Sequence, residues 1–338
     1  MRLRKARTIL FVTVMVFAAG LAASIAGPGR LGAAAQNQQP ADQEKPAGQA
    51  PTIRAQVTLI NIFATVRDGH KRIVGNLEQK DFRITEDNQE QKISFFSRET
   101  ALPITLGMLL DTSGSEYNML LAIQDSGVRF LNRVLRPKDL AMVISFGQDV
   151  DLLSDFTEDR GMLERAIRRA RINAPQGGMV NPGPLPPSAR GTRGTALYDA
   201  IYVACREKLS SEAGRKALVI LTDAEDVGSK VRLEEAIEMA QRTDTVIHIL
   251  LISDYGYSNG GVARKITDET GGRTIEVRSE KRLEEAFDQI SEELRSQYLL
   301  AYYPTNTAHD GRFRKIKVEA EGKDMKVLAR KGYYAPKS

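Results

Sequence analysis

Between about residues 102 and 296 the chain alternates near-continuous apolar runs with amphipathic stretches, and few folds accept that alternation. Apolar runs at 104–110, 217–221, 246–252 and 274–277 are each followed by a segment of helical period, at about 117–135, 233–242, 262–269 and 281–294. Further helices are expected at about 160–171 and 195–209, and Pro137 stops the first one. The runs at 141–146 and 150–156 are close enough to form a hairpin. A strand that is apolar on both faces must be covered on both, which is what the crossover helices of a parallel sheet do. The expectation is therefore an α/β unit with a doubly wound, mostly parallel sheet. Such sheets bind ligands outside the carboxyl ends of their strands, where the strand order reverses.

The flanks follow a different period. Ile60, Ile62, Ala64 and Val66 alternate along one face, Phe82 and Ile84 precede a polar turn at 86–89, and 93–96 returns. That makes about four strands between 53 and 100, too few to be stable alone. At the other end Ile316, Val318 and Ala320 alternate with charged residues, as do Met325, Val327 and Ala329 after a turn at 321–324. We read these as a hairpin, with an extra strand at 298–303. Neither β part suffices by itself, so the two should pack together, with the α/β unit inserted between them.

Residues 1–7 are cationic and 8–26 almost unbroken in apolar character, followed by small-residue cleavage patterns at 24–26 and 33–35. This is the pattern of a secretory signal peptide over 1–35, with an uncleaved inner-membrane anchor at 8–26 as the competing reading. Residues 36–52, rich in Gln, Pro, Ala and charge, read as a flexible linker. Five of the 48 basic residues lie in 1–35, which carries no acid, so the remaining 43 balance the 43 acidic residues. The balance gives no support for nucleic-acid or anionic-membrane binding. A single cysteine, Cys205, rules out an intramolecular disulfide and sits on an apolar helical face, as a buried structural thiol would.

The run at 104–110 ends in Asp111-Thr112-Ser113-Gly114-Ser115, which supplies one carboxylate and two hydroxyls at alternating positions. All-oxygen ligation of this kind suits a hard divalent cation such as Mg²⁺, and one acid leaves the site short of negative charge, which invites an acidic group from outside. Two further segments have the same character. Thr195 opens a helix just after Gly194, and the apolar strand 218–222 ends in Asp223.

Together the three loops resemble the metal-ion-dependent adhesion site of von Willebrand factor type A domains, which has an Asp-x-Ser-x-Ser loop, a Thr on a second loop and an Asp on a third. The pattern falls on Asp111, Ser113, Ser115, Thr195 and Asp223. The resemblance implies Mg²⁺ or Mn²⁺ held by the Ser113, Ser115 and Thr195 hydroxyls, with Asp111 and Asp223 acting partly through water. It also implies an open position that takes an Asp or Glu from a protein or peptide partner. The family usually has Gly after the third-loop Asp, whereas Ala224 stands here, and Glu225 and Asp226 add acidity nearby. Residues 53–100, 298–304 and 330–335 look like the exported bacterial (acidobacterial-type) family related to these domains. The fold this implies is a Rossmann-like, doubly wound α/β domain at 102–296 inserted into a small Ig-like β-sandwich. The sandwich is built from 53–101 and 297–338.

Plainer readings stand beside these. The Asp111 loop can be a helix cap with turn hydroxyls, and Thr195 an N-cap with Asp199 in the first turn. Arg193 is either solvated or faces an acidic partner, and the Pro-rich loop 173–191 is either a recognition surface or a variable insertion. His248 falls in a core strand and His70 and His309 in turns, so no zinc cluster is expected. For function, the first reading is a non-enzymatic adhesion-type protein that is periplasmic or secreted. The second is a structural envelope protein whose metal only ties loops together. The third is a phosphohydrolase with Asp111 as nucleophile, disfavoured because Ser113 stands where a second Asp is needed.

Overall fold

The computed structural model describes residues 59–99, 102–116, 118–172, 194–252 and 258–337. The expected signal peptide, linker, Pro-rich loop and Arg193 lie outside the described residues. At the centre is a six-stranded sheet of β5 (Ile104–Asp111), β6 (Leu140–Phe146), β7 (Val150–Thr157), β8 (Arg215–Thr222), β9 (Thr245–Ile252) and β10 (Thr274–Val277), in the order β10-β9-β8-β5-β6-β7. All neighbours are parallel except β7, which returns antiparallel on β6 as the hairpin reading requires. β5 and β9 are buried along their whole length, which is why their sequences show no polar alternation.

Helices cover both faces. On one, α1 (Leu120–Val134), α2 (Arg160–Arg169) and α6 (Glu280–Arg295) pack Ile123, Phe130, Ile167, Phe287 and Ile290 against Leu106, Met108 and Leu110 of β5. On the other, α3 (Leu197–Val203), α4 (Leu233–Arg242) and α5 (Gly260–Thr270) pack Ile201, Ile237 and Ile266 against Leu109, Ile220 and Ile249. Gly107 is required on this second face, because a Cβ there would lie 2.4 Å from Leu218 and 2.8 Å from Met142. The helix expected at 195–209 stops at Val203, and Ala204–Lys208 continue as a π turn. Cys205 in that turn is fully buried, and burial pushes its thiol up to about 12, as an inert structural thiol requires. Among the described residues no helix is long and apolar enough to cross a membrane.

The flanking strands form two four-stranded antiparallel sheets. One has the order β13 (Lys326–Leu328), β1 (Ile60–Arg67), β11 (Gln297–Tyr302), β4 (Ile93–Glu99). The other runs β14 (Gly332–Tyr334), β12 (Phe313–Ala320), β2 (Phe82–Glu86), β3 (Gln89–Gln91). Each sheet mixes strands from before and after the α/β unit, and one apolar core joins Ile62, Val66 and Leu300 of the first to Ile84, Ile316 and Tyr333 of the second. The buried carboxylate of Glu86 accepts hydrogen bonds from Tyr302 (2.6 Å) and Tyr333 (3.0 Å), so early and late segments share polar as well as apolar contacts.

The hairpin expected over 315–329 is not formed. β12 pairs with β2 and β14, whereas β13 crosses to the other sheet and pairs with β1. The segment between them passes through positive φ at Gly322 (φ 125°) and at Asp324 (φ 60°), while the Glu321 N–H bonds to the Asp81 carbonyl 2.7 Å away. Alternation records which face of a strand is buried but not which neighbour it pairs with.

Candidate metal centre

β5 and β8 are direct neighbours, and the chain leaves β5 toward β6 on one side while β8 leads to β9 on the other. That reversal is a switch point, and the first and third predicted loops open from it side by side. Asp111 ends β5 with no solvent exposure. Its Oδ1 accepts from the Ser113 N–H at 2.8 Å and its Oδ2 from the Thr222 hydroxyl at 2.6 Å. Thr112 anchors the loop through its N–H and hydroxyl, both donated to the Phe146 carbonyl at 2.7 and 3.0 Å. The Ser113 and Ser115 hydroxyls lie 2.9 Å apart, with Ser115 exposed and Ser113 half-buried.

Asp223 directly follows β8 and is buried. Its Oδ1 accepts from the Glu225 N–H at 3.0 Å, and its carbonyl accepts from the Asn259 N–H at 2.8 Å at the start of α5. Thr195 is held to this third loop by its backbone, pairing with Val227 in both directions at 3.0 and 2.9 Å. It is not the cap of α3, because that position falls to Ala196, whose side chain makes no capping bond. Asp199 braces the third loop instead, accepting from the Lys230 and Val231 N–H groups. Asp226 accepts from the Tyr198 N–H and the Ser229 hydroxyl, so its Oδ1 is engaged within the loop.

Ala224 has φ 59°, a left-handed conformation that favours glycine. The usual glycine after the third-loop acid thus has a backbone reason, and this chain tolerates a methyl there with Ala224 wholly buried. The Thr222 hydroxyl also accepts from the Ala224 N–H at 3.0 Å, which holds the turn in place.

One buried carboxylate beside these loops was missed in the sequence. Carboxylate oxygens of Asp111, Glu116 and Asp223 lie within 4.8 Å of one another, and all three residues are buried. Glu116 closes a short 3₁₀ turn, Gly114–Glu116, where the sequence reading placed the approach to a longer α1. The signal available was a Glu one position past the Asp-x-Ser-x-Ser loop. Three carboxylates at this spacing repel one another by roughly 3 kcal/mol per pair at an effective dielectric of about 20. Burial already pushes the Asp111 carboxyl up to about 6, with hydrogen bonds from Ser113 and Thr222 opposing and the Asp223 charge adding to the rise. Hard oxygen donors converge here from two loops, and Asp111 is held by a hydroxyl and an amide rather than by a basic side chain. That donor set fits a divalent cation.

A mixed, largely parallel sheet covered by helices on both faces, with acidic loops at its switch point, is the doubly wound α/β arrangement that the resemblance to von Willebrand factor type A domains implies. No protein-family model and no curated protein matches the chain. Among solved structures it is similar to a von Willebrand factor type A protein from Catenulispora acidiphila, at 12% identity over 85% of this chain and 75% of that one, TM-score 0.48. It is also similar to the conserved hypothetical protein BatB from Bacteroides thetaiotaomicron, at 18% identity over 57% of this chain and 100% of that one, TM-score 0.43. A third is proximal thread matrix protein 1 from the mussel byssus with a zinc-occupied MIDAS motif, 13% identical over 62% of this chain and 49% of that one, TM-score 0.48.

Proposed function

We propose that this chain is an exported, non-enzymatic binding protein whose switch-point loops hold Mg²⁺ or Mn²⁺ and recognise an acidic side chain of a protein partner. The convergence of Asp111, Glu116 and Asp223 at the ends of adjacent strands is the observation that carries the reading. Asp111 and Asp223 would hold the cation together with the hydroxyls of Ser113, Ser115 and Thr195. When bound, the cation supplies a Lewis-acidic point that attracts a carboxylate from outside. The chain's own part is positioning. Thr222 and the Ser113 N–H orient Asp111, the Asn259 N–H steadies the Asp223 backbone, and the Ser113–Ser115 pair forms the solvent side of the first loop.

Two further features support export and the proposed architecture. The cationic and apolar start of the chain supports export, to the periplasm or beyond the cell, with residues 8–26 as an inner-membrane anchor if they are retained. The two four-stranded sheets sharing one core support an Ig-like sandwich at 53–101 and 297–338 that carries the 102–296 domain as an insertion.

The test is affinity capture from an envelope extract in Mg²⁺ with chelator elution, comparing wild type with Asp111→Ala, alongside calorimetric titration of both with Mg²⁺ and Mn²⁺. Metal binding by wild type alone and a chelator-sensitive complex are expected. A verified complex that survives chelator, or equal metal binding by Asp111→Ala, rejects the reading.

A further inference from the structure

We infer that Glu116 is an additional, self-supplied carboxylate ligand of the cation held by Asp111 and Asp223, and that it competes with any acid arriving from outside. The inference rests on the metal reading above and goes beyond it, because Glu116 lies outside the five-residue oxygen set that the loop resemblance supplies.

Glu116 is 1% exposed, although it belongs to a surface loop whose neighbours Gly114 and Ser115 are open to solvent. Glutamate is seldom buried so completely, and here its carboxylate is buried beside two others rather than turned out to water. Its backbone is fixed on both sides, donating to the Ser113 carbonyl and accepting from the Met119 N–H, each at 3.1 Å. The 3₁₀ turn therefore carries its side chain inward to Asp111 and Asp223, while the paired Ser113 and Ser115 hydroxyls are exposed.

This arrangement changes the charge balance inferred from the first loop. A site with one or two acids leaves a divalent cation electron-poor and open to an outside carboxylate. Three acids outweigh a charge of two, so a carboxylate arriving from outside meets repulsion unless Glu116 withdraws. Glu116 thereby strengthens metal retention and weakens acid capture, which sets a threshold that a partner must exceed.

The experiment titrates the full chain with Mg²⁺ and with Mn²⁺ by calorimetry, as wild type, Glu116→Gln and Glu116→Asp, and then titrates acetate into the Mg²⁺-saturated proteins. Glu116→Gln should bind metal about tenfold or more weakly. Its melting temperature in chelator should be no lower than that of wild type, because like-charge repulsion has been removed, and acetate should bind it more tightly. Metal affinity within about twofold of wild type, or unchanged acetate affinity, overturns the inference. A wild type that binds neither ion overturns it together with the metal reading, whereas a wild type that binds while Glu116→Gln binds equally overturns it alone. If Glu116→Gln does not fold, Glu116→Asp decides: weakened metal binding supports the inference and affinity equal to wild type overturns it.

Discussion

The Thr222 hydroxyl donates a 2.6 Å hydrogen bond to Oδ2 of Asp111, joining the last residues of two adjacent strands across a sequence separation of 111 positions. Both residues have no solvent exposure, and the same hydroxyl accepts from the Ala224 N–H. One oxygen thus connects the loop after β5 to the turn that follows Asp223. Thr222→Val keeps the shape but strands a carboxylate oxygen and a buried N–H. The expected loss is about 2–4 kcal/mol, read from urea unfolding in chelator. A loss under about 0.5 kcal/mol, the usual range of surface substitutions, contradicts the assigned role.

Asp111 predicts a pH effect in the absence of metal. Its folded carboxyl titrates at about 6 against an ordinary value of 3.8, so the folded state holds the proton more tightly than the unfolded one. Stability from this group is therefore fully present below about pH 4, falls as pH rises toward 6 and stays low above it. The loss is on the order of 3 kcal/mol. Asp111→Asn removes the titration, so the stability difference between wild type and Asp111→Asn in chelator should turn against wild type across that window. A difference that stays flat from about pH 4 to about pH 7 refutes it.

Ala224 separates backbone strain from packing. Ala224→Gly relieves about 1 kcal/mol of left-handed strain, but it forfeits a buried methyl worth about 0.8 kcal/mol and loosens the unfolded chain. The net change should stay within about 1 kcal/mol. Ala224→Val places a β-branched side chain at φ 59° in a filled core and should cost about 2 kcal/mol or more. Thermal unfolding of the two variants checks both values, and a Val variant as stable as wild type rules out the strain argument.

Glu293 of α6 is 1% exposed and pairs with Arg67 at the end of β1 and with Arg273, whose Nη1 lies 2.9 Å away. Buried His248 of β9 lies alongside, its Nδ1 3.6 Å from Glu293 Oε2, and burial holds its pKa below the usual value. This cluster ties the flanking sheets to the α/β layers. Glu293→Gln leaves two arginines facing each other without a counter-charge and should cost about 3–5 kcal/mol. Denaturant midpoints measure that loss, and a neutral result refutes it.

Much of this architecture was legible in the sequence. The apolar runs that became β5, β8 and β9 carry their own burial signal, since a strand covered on both faces has no polar positions to show. The limits of α4 and β10 match the expected 233–242 and 274–277 because helical period and turn residues bracket them locally. Asp111 and Asp223 were legible for the same reason, each standing at the end of such a run. Glu116 was not, because nothing local distinguishes a glutamate turned under a loop from one at the solvated start of a helix.

By itself the sequence determined the order and kind of the α/β elements, and the ends of the strands where acids would stand. Both are written in hydrophobic period and in residues that begin or stop an element. Only the tertiary structure decided that β12 and β13 part into different sheets, that Glu116 turns inward, that Ala224 sits at positive φ, and that Glu293 meets Arg67 from 226 positions away. Those outcomes depend on which surfaces meet after the chain has closed long loops, and pairing energies between distant residues leave no trace in local pattern.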